Sequence, residues 1–295
     1  MNRLRKPVVA FVAILAVTCA FHAQDIVKTL TVDVNIVLIP TTVTNERGQY
    51  VSGLEKNKFQ IFEDKVEQEI VYFSTEDAPM SLGIVLDASG SMNTIMDPAR
   101  RNGGACLNMG TDDDEYFLMV FSDKLKVNTE FTTDLRKLRA QMLTVNSKGS
   151  TALYDAIYAG LAKVREGTNP RKALVVVSDG YDNSSRYTGK NVREALKETD
   201  VQLYLIGNEG DGALTALAES SGGRSLSPRG RTFELANICT EIVKNLKNQY
   251  LIGYKSTNDS RDGKWRNVRV KVDPPKDVKL NVRSRTGYYA RNDNP

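Results

Sequence analysis

Histidine is almost absent from this chain of 295 residues: the single copy, His22, sits at the end of an N-terminal apolar segment. Once that segment is removed the chain has none, which excludes Ser-His-Asp hydrolysis, Cys-His proteolysis and the H-E-x-x-H zinc motif. Net charge is scarce too. Loss of Arg3, Arg5 and Lys6 with the same segment takes the 40 basic residues to 37 against 36 acidic ones. A near-neutral chain has no electrostatic footprint for nucleic acid. Long apolar runs are missing as well. The longest, residues 7–21, is shorter than the roughly 20 residues that span a bilayer, and no later stretch looks transmembrane. Its basic start, apolar middle and small-residue end read as a secretory signal over residues 1–23, cleaved after Ala23. Lipid attachment at Cys19 is disfavoured, because Ala16-Val17-Thr18 matches the required small-residue pattern poorly. Two cysteines remain, Cys106 and Cys239. An exported pair invites a disulfide. Each lies among apolar residues, however, and buried free thiols are the favoured reading.

What is present falls into two rhythms. Residues 25–78 read as short strands. Residues 31–39 are rich in Val and Ile, Pro40 punctuates them, and Arg47-Gly48 supplies a turn before Tyr50-Val51. Phe59 and Ile61, then Ile70 and Tyr72, alternate about a polar Glu63-Asp64-Lys65 turn and predict a hairpin. From Met80 the pattern changes. Residues 82–86, 117–121, 173–177 and 201–206 are near-continuous apolar runs, as a parallel sheet covered on both faces requires. Between them Leu153, Ala156, Ile157, Gly160, Leu161 and Val164 keep helical spacing, as do Leu235, Ile238, Cys239, Ile242, Val243 and Leu246. Gly222-Gly223 closes a short helix carrying Leu214 and Leu217. Strand character returns over 251–254, 266–272 and 278–282, with a turn at 259–263. Val268, Val270 and Val272 make an apolar face there, while Asn267, Arg269 and Lys271 make a solvated one.

The chemistry concentrates in SLGIVLDASGSM, residues 81–92. The apolar run delivers Asp87 to the end of a strand, and the following turn sets out Ser89 and Ser91, so three oxygen-bearing side chains fall at i, i+2 and i+4. Carboxylate and hydroxyl oxygens are hard ligands suited to Mg²⁺. The same residues also serve ordinary capped turns. Thr151 in the loop NSKGST and Asp179, ending a second apolar strand, can join the first loop, because the carboxyl ends of central strands in an open parallel sheet share one crevice.

DASGSM, a Thr in a Gly-Ser-Thr loop and SDG after an apolar strand, in that order, resemble the von Willebrand factor type A (VWA) domain and its metal-ion-dependent adhesion site. The resemblance covers roughly residues 80–247. It implies a Rossmann-like α/β fold, a central mostly parallel sheet flanked by helices. It also implies that Ser89, Ser91 and Thr151 offer hydroxyls to Mg²⁺ (or Mn²⁺ or Ca²⁺), while Asp87 and Asp179 bind it directly or through water. The flanking sequences resemble a group of exported bacterial proteins related to this domain and named for acidobacteria. One stretch departs from the family pattern: the helix expected over 94–108 contains Pro98 and Asn102-Gly103-Gly104, and is expected to be broken or shortened.

Segments 25–78 and 248–290 are each marginal as cores, and together they approach an immunoglobulin-like sandwich in size. The expected architecture is therefore a signal (1–23) and a β-sandwich formed jointly by 25–78 and 248–290, with the VWA domain (80–247) inserted between those two segments. That arrangement is similar to the integrin β-chain hybrid domain. The expected function is an exported adhesion or assembly module, periplasmic, envelope-associated or secreted, whose cation is completed by an Asp or Glu of a partner protein. The alternatives are a structural envelope protein with a vestigial site and a metal-dependent hydrolase using Ser89 or metal-bound water. The hydrolase would lack a histidine base and would depend on Asp182 or a Glu.

Overall fold

The computed structural model describes residues 36–75, 78–92, 110–179, 181–207, 212–227, 233–276 and 278–292. The expected signal over 1–23, the broken helix over 94–108 and Cys106 lie outside the described residues. Fourteen strands and five α-helices follow, numbered over the described residues.

The α/β domain is built on six strands in the order β10-β9-β8-β5-β6-β7. They are β5 (Met80–Asp87), β6 (Glu115–Phe121), β7 (Leu125–Asn128), β8 (Arg171–Ser178), β9 (Gln202–Gly207) and β10 (Arg224–Leu226). All neighbours are parallel except β6 and β7. Every residue of β5 is buried, because helices cover both faces of the sheet. One face packs Leu82, Ile84 and Leu86 against α1 (Leu135–Leu143) and α5 (Phe233–Lys247). The other packs Val85, Phe117 and Leu174 against α2 (Leu153–Val164), α3 (Gly189–Lys197) and α4 (Gly212–Ser220). The six residues expected to face the core from α2 are all buried in it. Gly222, at φ +85°, ends α4 by donating to Glu219 O, while Gly223 donates to Ala218 O.

Two antiparallel four-stranded sheets, β13-β1-β11-β4 and β14-β12-β2-β3, accompany the α/β domain. Their strands are β1 (Ile36–Asn45), β2 (Phe59–Glu63), β3 (Val66–Gln68), β4 (Ile70–Ser74), β11 (Tyr250–Lys255), β12 (Trp265–Val272), β13 (Leu280–Ser284) and β14 (Gly287–Tyr289). Each sheet thus mixes strands from before and after the α/β domain. They share a core of Ile39, Val43, Phe59, Ile61, Ile70, Ile252, Tyr254, Val268 and Val270.

Three expectations need correction. β2 does turn at Asp64-Lys65, both with positive φ, but its hairpin partner is β3; Ile70 and Tyr72 belong to β4, which pairs with β11 in the other sheet. Pro40 does not end β1, which runs through it to Asn45. The proline is tolerated because β13 pairs with β1 only from Thr41 on, leaving Pro40 with a partner on one side, Leu251 of β11. Cys239, finally, is disulfide-bonded rather than a free thiol, its partner lying outside the described residues.

The chain passes between the α/β domain and the sandwich at one end of the central sheet. β4 stops at Ser74 and β5 starts at Met80; α5 stops at Lys247 and β11 starts at Tyr250. Arg171, 1% exposed at the start of β8, serves both crossings: its Nη1 donates to Ala78 O at 2.9 Å and its Nη2 to Gln249 O at 3.1 Å. Beside it a buried amide network closes the join. Gln249 Nε2 donates to Gln202 Oε1 and Thr42 Oγ1, and the Tyr204 hydroxyl donates to Asn245 Oδ1 at 2.7 Å.

Candidate metal centre

The opposite end of the sheet carries the oxygen-rich loops. Asp87 is the last residue of β5 and Ser178 the last of its neighbour β8. The Ser178 hydroxyl donates to Asp87 Oδ2 at 2.6 Å and the Ser89 N–H to Oδ1 at 2.7 Å, which fixes a carboxylate with no solvent exposure. A single 3₁₀ turn, Gly90–Met92, then brings the Ser89 and Ser91 hydroxyls within 3.0 Å of each other. Ser89 is buried and Ser91 exposed.

Thr151 stands two residues before α2 and is buried. Its loop is fastened to the Asp87 loop by main-chain bonds, Gly90 N–H to Gly149 O at 2.9 Å and Lys148 N–H to Ala88 O at 2.8 Å. On its other side it is fastened to the loop after β8. Asn183 Oδ1 accepts the Thr151 N–H at 2.9 Å, while Asn183 and Ser184 N–H both donate to Thr151 O. Asp182 holds the same junction by accepting the Leu153 and Tyr154 N–H groups at the start of α2, together with the Ser185 hydroxyl. Asp182 is therefore engaged as a helix cap, which disfavours it as a general base.

Asp179, directly after β8, completes the set. Its Oδ1 is buried and has no hydrogen-bond partner among the described residues. A buried carboxylate oxygen left without a donor is costly unless a cation or water answers it. Asp87 differs in that both its oxygens accept hydrogen bonds, yet it too is a buried carboxylate. Burial pushes its carboxyl above the ordinary range and the nearby Asp179 charge adds to this, against the lowering by the Ser178 and Ser89 hydrogen bonds. The two carboxylates and three hydroxyls carried by these loops are hard oxygen donors of the chemistry that suits a divalent cation of the Mg²⁺ kind. Among the described residues no group of three or more His, Cys, Asp or Glu side chains converges.

The structure thus places Asp87, Ser89, Ser91, Thr151 and Asp179 on three loops at the carboxyl ends of β5 and β8 and ahead of α2. Sequence reasoning missed the residues that hold those loops: Ser178, Asn183, and Asp182 in its capping role. The only signal for Asn183 and Asp182 was the polar run DNSS, residues 182–185, which reads equally well as an ordinary loop.

An open α/β sheet with its chemistry at the carboxyl ends of adjacent central strands defines the class of this region of the chain. Residues 82–181 match the family model of the von Willebrand factor type A domain. Among solved structures the chain is similar to "von Willebrand factor type A from Catenulispora acidiphila", at 12% identity and a TM-score of 0.51 over 88% of this chain and 75% of that one. It is also similar to a point mutant of the PilB minor pilin from Streptococcus sanguinis, at 15% identity and a TM-score of 0.50 over 59% of this chain. The matched region spans 63% of that pilin chain, less than two thirds of its length. At these identities the likeness is one of fold. No curated protein matches the chain.

Proposed function

We propose that this chain is an exported protein-interaction module, of the adhesion or assembly kind, that grips an acidic residue of a partner protein through a divalent cation. In this reading residues 1–23 direct export and the VWA domain of 80–247 is carried by the sandwich of 25–78 and 248–290. Asp87, Ser89, Ser91, Thr151 and Asp179 hold the ion, with Mg²⁺ the expected occupant. The observation that carries the reading is the pair Asp87 and Asp179: one carboxylate pushed toward its protonated form by burial, the other with an orphaned oxygen.

When bound, the cation supplies a positive centre able to accept a further carboxylate oxygen. The chain's own groups prepare that event. Ser178 and the Ser89 N–H aim the two oxygens of Asp87, and the Asn183 side chain sets the height of Thr151 above the sheet. With only two carboxylates among the five ligands, a divalent ion is not over-neutralised, so a partner's anion is still attracted. The hydrolase alternative, which called for Asp182 or a Glu as base, is weakened at Asp182, because that residue is held in a cap.

The test is a calorimetric Mg²⁺ titration followed by capture of envelope proteins. Capture should need Mg²⁺ or Mn²⁺, reverse with EDTA, fall with free Asp-containing peptide as competitor, and be lost in Asp87→Ala. Thr151→Ala should weaken partner capture more than Mg²⁺ binding. Wild-type protein that takes up no Mg²⁺ at millimolar concentration overturns the proposal.

A further inference from the structure

Lys126 lies on β7, the antiparallel strand at the edge of the central sheet, and the functional reading makes no use of it. Its ammonium donates to three carbonyls, Lys148 O at 2.9 Å, Ala88 O at 3.2 Å and Asn146 O at 3.4 Å, and interacts electrostatically with Asp123. Three donors meet three acceptors. Ala88 lies between Asp87 and Ser89, whereas Asn146 and Lys148 belong to the loop leading to Thr151. One cation therefore bridges the two loops whose main chains also meet through Gly90 with Gly149 and Lys148 with Ala88. Ala88 O is shared, accepting both the Lys148 N–H and the Lys126 ammonium.

Carbonyls from two loops converging on one point repel each other unless a donor or cation lies between them. Lys126 supplies that cation covalently, from a strand fixed to β6 by its ladder. We propose that Lys126 is a positioning residue that clamps the Ser89–Ser91 turn to the Thr151 loop, so that the hydroxyls stand in place before a divalent ion arrives. The inference rests on the metal-site reading for its consequence and on the carbonyl cradle for its geometry. Lysine suits the task because its three ammonium protons spread in three directions; the planar fork of arginine does not match them.

A fixed positive charge near a cation site also repels the incoming ion, and this gives the test its sign. If the clamp dominates, Lys126→Met weakens Mg²⁺ binding by about tenfold, the scale on which outer-shell partners act. If repulsion dominates, the variant binds more tightly. The experiment has two arms on the full chain: Mg²⁺ calorimetry, and amide hydrogen exchange at Gly90 and Lys148 in EDTA. A urea midpoint is measured beside them. The expected result is faster exchange at both amides by about tenfold or more, weaker Mg²⁺ binding and an unmoved urea midpoint, since Lys126 is an exposed residue. Unchanged exchange at Gly90 and Lys148, or Mg²⁺ binding equal to or tighter than wild type, overturns the clamp. Wild-type protein without Mg²⁺ uptake, together with accelerated exchange in the variant, refutes the metal reading and leaves the clamp standing.

Discussion

Replacing Asp87 by asparagine should move stability and metal affinity in opposite directions. The substitution is nearly isosteric. The new amide keeps an oxygen for the Ser89 N–H and can donate to the Ser178 hydroxyl, so both bonds at 2.7 Å and 2.6 Å survive with their polarity adjusted. What disappears is the charge. A carboxyl whose pKa is raised in the fold is ionised at a cost at neutral pH, and here the causes are burial first and the Asp179 charge besides. In EDTA, therefore, Asp87→Asn should melt at the same temperature as wild type or higher. With metal the order reverses. A unit charge about 4 Å from another contributes about 4 kcal/mol at an effective dielectric of 20, so a divalent ion doubles this to about 8 kcal/mol. Dehydration of ion and carboxylate takes back more than half, leaving about 3 kcal/mol, or about a 100-fold loss of affinity. The assay is thermal denaturation at neutral pH in EDTA and in excess Mg²⁺. Wild type should gain about 2.7 kcal/mol at 100 times its Kd, while the variant gains almost nothing. A variant that is less stable than wild type in EDTA, or that keeps the same Mg²⁺ shift, refutes the reasoning.

Gly83→Ala places a methyl group 2.4 Å from Phe117 Cζ and 2.7 Å from Leu174 Cδ1, in a face that cannot open; the loss should be about 1–3 kcal/mol by urea denaturation. Arg171→Met leaves Ala78 O and Gln249 O without their buried donors, at about 1–3 kcal/mol each. Its urea midpoint should drop accordingly, with Mg²⁺ affinity unchanged because Arg171 and Ser178 are at opposite ends of β8. Burial raises the pKa of Glu115, yet hydrogen bonds from Ser81 Oγ and from Thr168 N–H and Oγ outweigh it and leave the carboxyl below its ordinary value. Its contribution is therefore complete above about pH 4.5 and fades as pH falls through the lowered value. Wild type should lose more stability on acidification through that window than Glu115→Gln, as followed by denaturation at stepped pH.

The interior parallel strands were legible because they are buried on both faces: an unbroken run such as residues 82–86 has few other destinations in a soluble domain. Asp87 and Asp179 were legible because they end such runs. α1 and α3 escaped notice for the converse reason. α1 buries only Leu138 and Met142, and α3 only Val192 and Leu196, too little for a helical period to stand out. Short edge strands such as β7, β10 and β14 carry three or four residues each and take their identity from neighbours distant in sequence. The misassigned hairpin has a related cause. Alternation says that residues 70–72 form a strand, but not that a break at Glu69 sends it to the other sheet. The loop-holding residues Asn183 and Asp182 stayed hidden because capping residues and ordinary loop residues are the same amino acids.

The placement of both crossings at one end of the central sheet also sets an order of events in folding. The Tyr250 hydroxyl donates to Val51 O across 199 positions of chain. Closing so long a loop from an open chain costs about 5 kcal/mol in entropy. An α/β domain that has already folded brings residues 74 and 251 side by side and reduces that search to a short one. Synthesis supplies the N-terminal strands first, yet β1 has its sheet partners only in β11 and β13, so it must wait unpaired until the whole α/β domain has been made. Until the strands from β11 onward are made, β1 and β4 therefore remain open edges, while β2 and β3 can already pair as a local hairpin.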